Sequence, residues 1–145
     1  MKKGYRIKKL SSSRASSKAS YKRAYEAQDA QIMSDLGYIP CSSCDITLVS
    51  GNGKALRSWG HSHNMSVKQY PELENDPKNF SPRCQDWGNR HGCHNKLDNE
   101  EFSEIIKFED FHELMAYRKE HSREAYNQWV TKLKEIGYEE YDYID

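Results

Sequence analysis

Apolar bulk is what this chain has least of. Hydrophobic types make up 36% of its 145 residues against 30% charged, and mean hydropathy is −1.03. No apolar run approaches the roughly 20 residues that a membrane-spanning helix needs, so a membrane partner is excluded from the reading. The charged start has no apolar stretch behind it, so no secretory leader is expected. A cytoplasmic setting and reduced cysteines follow from that expectation. Acids are also missing from one end. Residues 1–23 hold nine Lys/Arg and neither Asp nor Glu, whereas the last seven residues carry four acids and no base. The net charge of zero hides this asymmetry. A basic arm of this kind favours a polyphosphate partner through counterion release, or serves only as a solvated tail.

What is present stands out against this background. Four cysteines lie in the middle third: Cys41 and Cys44 as Cys-x2-Cys, then Cys84 and Cys93. The first pair has the spacing that lets two thiolates from one tight turn share an ion. The second pair is separated by a longer loop, Gln85 to Gly92, whose two glycines let it bulge. Four thiolates close a tetrahedral structural zinc site, and a bound ion would compensate for the sparse core. The alternatives are that His91 or His94 replaces one cysteine, or that the two pairs are unrelated buried thiols.

Four segments are expected. Residues 1–17 are a Lys/Ser/Arg-rich arm, disordered until bound, with Lys2, Lys3, Arg6, Lys8 and Lys9 as nucleic-acid contacts. Residues 18–37 form a helix rich in alanine and stopped by Gly37. Residues 38–107 form a zinc-bound module. It opens on Tyr38-Ile39-Pro40, extended because of the proline, and continues with a strand at Ile46 to Val49 and a turn at Gly51-Asn52-Gly53. An extended segment at 56–66, a loop at 70–78 and a helix at 95–106 complete it. Residues 108–145 hold two helices, 109–121 and 123–136, and an acidic tail. There is no internal repeat. The fold class is therefore α+β, a small zinc-stabilised module flanked by helices.

The run Ser62-His63-Asn64-Met65-Ser66, then Asp76-Pro77-Lys78-Asn79, then Cys93-His94-Asn95-Lys96 resembles an HNH (ββα-metal) endonuclease. The likeness is to the phage-type branch built on a cysteine zinc knuckle. It covers about residues 41–99, and the sixteen-residue spacing of His63 and Asn79 fits it. The resemblance implies metal-dependent hydrolysis of DNA phosphodiester bonds, with Mg²⁺ or another divalent ion beside the structural zinc, in a bacterial host cell if the chain is phage-encoded.

Residue roles follow from that resemblance. His63 is the general base, its ordinary pKa near 6.5 suiting the task; the alternative is a hydrogen-bonded scaffold histidine. His94 is a ligand of the reactive ion, fixed by the neighbouring Cys93. Asn95 adds an oxygen ligand or caps the helix. Asn79 holds the loop so that the base points inward, or is simply a turn asparagine. Lys96 joins the basic arm in binding nucleic acid. The departure is Ser62, where the family often has a carboxylate or histidine ligand; serine is a poor ligand for Mg²⁺. His61 lies on the face of His63, not at the adjacent position. Ser62 therefore favours an alternative function: a catalytically degenerate zinc-binding protein that binds nucleic acid or serves as a virion-associated structural component.

Overall fold

A computed structural model describes residues 12–50 and 60–145. The basic side chains Lys2, Lys3, Arg6, Lys8 and Lys9, the Gly51-Asn52-Gly53 turn and the start of the 56–66 segment lie outside them. The described residues form helices and two small antiparallel sheets, an α+β arrangement. No helix among them is long and apolar enough to cross a membrane.

The first helix, α1 (Ser12–Leu36), begins six residues earlier than the expected Lys18. Its serine-rich start has no helix breaker, and Ser17 Oγ donates to Glu74 Oε1 at 3.0 Å. Residues 12–17 are thus helical rather than part of a disordered arm. Gly37 ends the helix at φ 79°, with its N–H on the Met33 carbonyl at 2.8 Å, a left-handed cap for which glycine has no Cβ penalty. The docked face of α1 is a polar and aromatic stripe at helical spacing: Tyr21, Tyr25, Gln28, Asp29 and Ile32. The Gln28 amide donates to the carbonyls of Pro77 and Phe80, both at 2.8 Å.

Strands β1 (Ile39–Pro40) and β2 (Thr47–Val49) pair antiparallel and frame the Cys41–Cys44 turn. A second antiparallel pair joins β3 (His61–His63) to β4 (Phe80–Pro82), with His63 opposite Phe80 and His61 opposite Pro82. Residues 80–82 thus form a strand between the expected 70–78 loop and Cys84. A 3-10 turn at Pro71–Leu73 interrupts the loop between them. Ser42 N–H bonds the Pro82 carbonyl at 2.9 Å, tying the cysteine turn to β4.

The helix expected over 95–106 is two helices, α2 (Cys93–Asp98) and α3 (Phe102–Ile105). The break falls at Glu100, whose φ of 52° no helix accommodates. Helices α4 (Phe111–His121) and α5 (Arg123–Glu135) form a hairpin, and Ser122 caps α5 by accepting the Ala125 N–H at 3.1 Å. Ala125, Tyr126, Trp129, Val130 and Leu133 give α5 one buried face. Tyr126, Trp129, Val130 and Leu133 pack with Phe102, Ile105, Phe111 and Met115 in a core that reaches Cys41, Cys84 and Cys93, and Ala125 packs with Met65 and Tyr117. The acidic C-terminus is pinned rather than free. Asn127 exchanges two hydrogen bonds with the Ile144 backbone, and Tyr126 Oη donates to the Asp142 carbonyl at 2.9 Å.

Candidate functional site

The four cysteines converge. The sulfurs of Cys41, Cys44, Cys84 and Cys93 all lie within 4.8 Å of one another, and Cys44 and Cys84 are 3.7 Å apart. Zinc–sulfur bonds of about 2.3 Å imply tetrahedral S–S edges of about 3.8 Å, so this set can hold a metal ion. Each pair is shaped locally for the purpose. The first turn closes with the Asp45 N–H on the Cys41 carbonyl at 2.9 Å, with Asp45 in the left-handed region at φ 65°. The second depends on Gly92, where an added Cβ would come within 2.6 Å of the Cys84 carbonyl oxygen and the Asp86 nitrogen. Only glycine brings the loop that close.

The electrostatics fit an ion as well. Cys41 Sγ accepts the Cys84 N–H at 3.4 Å, Cys84 Sγ accepts the Cys93 N–H at 3.2 Å, and Arg90 Nη2 lies 3.4 Å from Cys44 Sγ. The Cys41 thiol is pulled down to about 4, first by the hydrogen bond from Cys93 and then by backbone N–H groups. Cys93 is pushed up, because it shares its proton with Cys41 and is buried. One sulfur ionises at the expense of its neighbour, and a dication is the group that lets all four do so.

The long inter-cysteine loop is ordered around this cluster. Trp87 and Arg90 close a tight hairpin through two backbone hydrogen bonds of 2.9 and 2.8 Å, with Gly88 at φ 58°. The Asp86 carboxylate accepts the Gly92 N–H at 2.6 Å and the His91 Nδ1–H at 2.8 Å. Glu101 takes the other nitrogen of His91 at 2.6 Å. Glu101 and Asp86 together hold the His91 pKa above its ordinary value.

Beside the cysteines lies a cleft of about 550 Å³ lined by His61, His63, His94, Asp98 and Arg118, among others. β3 supplies two of its histidines because alternate strand residues share a face. His63 Nε2 donates to the Glu74 carbonyl at 3.0 Å, so its Nδ1 carries the lone pair. Burial lowers the His63 pKa below the usual 6.5 against the opposing pull of the Glu74 carbonyl and carboxylate, and the neighbouring His61 and His94 add to the lowering. His61 is held by Asp29 at 2.7 Å and stacks on Tyr25. His94 enters from the first turn of α2, where its N–H bonds the Cys84 carbonyl at 2.9 Å. The Gln85 amide contacts His94 Nδ1, and His94 Nε2 lies 3.2 Å from Asp98 Oδ2.

Asn79 is buried and does not enter the cleft. Its Oδ1 accepts the Met65 N–H at 2.8 Å, and its Nδ2 donates to the carbonyls of Met65 and Leu73 at 3.0 and 3.2 Å. It holds the chain two residues beyond His63. Asn95 is neither at the cleft nor at the helix cap: Gly92 is the N-cap, and Asn95 Oδ1 accepts the Asp86 N–H at 3.1 Å. Lys96 pairs with Glu104 at 3.4 Å, away from the cleft. Ser62 faces away from His63 and is buried, with its Oγ unpartnered among the described residues.

Sequence reasoning missed several site residues. Asp98 stands one helical turn after His94, and that i,i+4 spacing was a usable signal. Arg83 is almost completely buried. It donates to Ser43 Oγ at 3.0 Å, to the Ser62 carbonyl at 3.0 Å and to Asp110 Oδ2 at 2.5 Å. It thereby joins the cysteine turn, β3 and the start of α4, and no local pattern marks it. Arg118 lies on α4, far along the chain from the motif. No family model, curated protein or solved structure matches the chain.

Proposed function

We propose that this protein is an HNH-type endonuclease that hydrolyses DNA phosphodiester bonds, its β3–β4–α2 module stapled by a zinc ion on Cys41, Cys44, Cys84 and Cys93. The observation that carries the reading is that His63, on a strand, and His94, on a helix start bonded to Cys84, line one cleft next to the sulfur cluster. A degenerate scaffold has no need to keep a neutral imidazole facing a second metal-binding side chain.

His63 is the base. Its depressed pKa keeps it neutral at pH 7, and its Nδ1 lone pair takes the proton of the attacking water while Glu74 holds the Nε2–H. Asn79 keeps this histidine in place by fixing the Met65 backbone. His94 and Asp98 would hold the divalent ion. Asp98 supplies the carboxylate that Ser62 lacks; an ion on His94 Nε2 would put the ring proton on Nδ1, with the Gln85 amide turned so that its oxygen accepts it. When bound, that ion neutralises the scissile phosphate and the departing 3′ oxygen.

The second reading keeps the scaffold and the DNA binding without cleavage; the inward turn of Ser62 favours it. Supercoiled plasmid incubated with Mg²⁺ or Mn²⁺ separates the two. Nicking by the wild type that His63→Ala abolishes supports the nuclease. Salt-sensitive DNA binding with no nicking supports the degenerate form.

A further inference from the structure

Arg118 belongs to α4, outside the segment that resembles the nuclease motif, yet it lines the same cleft as His63 and His94. Its guanidinium carbon lies over the Trp129 ring, 3.7 Å from the centroid. Nε donates to Asn64 Oδ1 at 2.9 Å, Nη2 to the Asn64 carbonyl, and Nη1 reaches the Ala125 carbonyl at 3.5 Å. These three bonds leave two of the five N–H groups, one on each terminal nitrogen. All three partners are uncharged oxygens. Burial pulls the Arg118 pKa down to about 10, with Glu100 opposing the shift from a distance. The group is therefore charged at pH 7, desolvated on one side by Trp129, and without a carboxylate hydrogen-bonded to it among the described residues. Three hydrogen bonds to neutral oxygens, the Trp129 face and the more distant Glu100 offset only part of its desolvation. A clamped guanidinium with two N–H groups to spare is a preorganised fork for a phosphate.

We infer that Arg118 contacts a phosphate of the nucleic-acid substrate in the cleft lined by His63 and His94. The inference rests on the nuclease reading for its ligand. It gives the α4–α5 hairpin a direct part in the site, whereas Arg118 acting only as a latch on Asn64 would serve the β3 end alone.

The test is the salt dependence of binding to a short DNA duplex without added Mg²⁺ or Mn²⁺. It uses the full zinc-loaded chain and the variants Arg118→Met, Arg118→Gln and Arg118→Lys. Each neutralised phosphate contributes about 0.9 to the slope of log K against log salt. The expected result is a slope shallower by about 0.9 in Arg118→Met and Arg118→Gln, and restored in Arg118→Lys. Arg118→Gln keeps an amide for Asn64, so it decides the matter if Arg118→Met loses its cooperative melt. Slopes equal to that of the wild type in the neutral variants overturn the inference. A slope difference in a wild type that never nicks plasmid leaves the phosphate contact standing and removes the nuclease reading. Nicking by the wild type with equal slopes does the reverse. No DNA binding at all removes both.

Discussion

Replacing Arg83 with methionine removes a side chain that joins the cysteine turn, β3 and α4. Arg83 is 1% exposed, and its carboxylate partner Asp110 is 8% exposed. Arg83→Met leaves Asp110 with the Ser43 hydroxyl, 3.0 Å away, as its one side-chain donor among the described residues, and leaves the Ser62 carbonyl without its 3.0 Å donor. Breaking one side of a buried pair costs about 3–5 kcal/mol, because the other charge stays buried and uncompensated. For a chain of this length 1 kcal/mol corresponds to about 4 °C in Tm, so the midpoint should fall by about 12–20 °C. The assay is thermal unfolding followed by circular dichroism, at fixed protein concentration and with zinc in excess. The double variant Arg83→Met/Asp110→Leu removes the orphaned charge and should recover most of the loss. A fall below about 4 °C in the single variant, or a double variant no more stable than the single, refutes the reasoning.

Three further outcomes are expected. Asn79→Ala should cost about 2–4 kcal/mol, since it strips buried hydrogen bonds from both the N–H and the carbonyl of Met65; a urea midpoint implying less than about 1 kcal/mol contradicts this. The pH profile of kcat/KM should rise through a midpoint below 6.5, because burial lowers the His63 pKa and the neutral ring is the active form. A midpoint above 6.5 would mean that His63 is not the base. Chelating the zinc, or making Cys41→Ser or Cys93→Ser, should abolish the cooperative melt, since structural zinc contributes on the order of 10 kcal/mol to folding. Wild-type melting in both cysteine variants would count against a structural ion.

The parts of the fold that were legible had local chemistry to mark them. Gly37 and Gly137 stop helices where left-handed backbone is needed, and both carry positive φ. The buried face of α5 follows a helical period that the sequence displays openly. The Cys-x2-Cys spacing announced the sulfur cluster, and the His63, Asn79 and His94 positions announced the cleft and its brace. Elements held by tertiary contacts were not legible. α1 docks through Tyr21, Tyr25, Gln28 and Asp29, a stripe that no hydrophobicity pattern picks out. β4 is three residues long and ends on Pro82, too short for alternation to register. The α2–α3 break sits at a left-handed Glu100 with neither glycine nor proline to signal it. Arg83 and Arg118 act across 27 and 54 positions of sequence, and their partners Asp110 and Asn64 are unremarkable until the chain folds.

The central claim is that a neutral His63 and an ion-holding His94 converge on one phosphate. Its most direct test is the single-turnover nicking rate of zinc-loaded wild type, His63→Ala and His94→Ala in Mg²⁺ or Mn²⁺, with zinc content and melting checked for each. Metal-dependent nicking by the wild type is expected, falling about 10²–10⁴-fold in His63→Ala while zinc and Tm are retained. A zinc-loaded wild type that nicks under neither ion, or a His63→Ala protein that nicks at the wild-type rate, contradicts it.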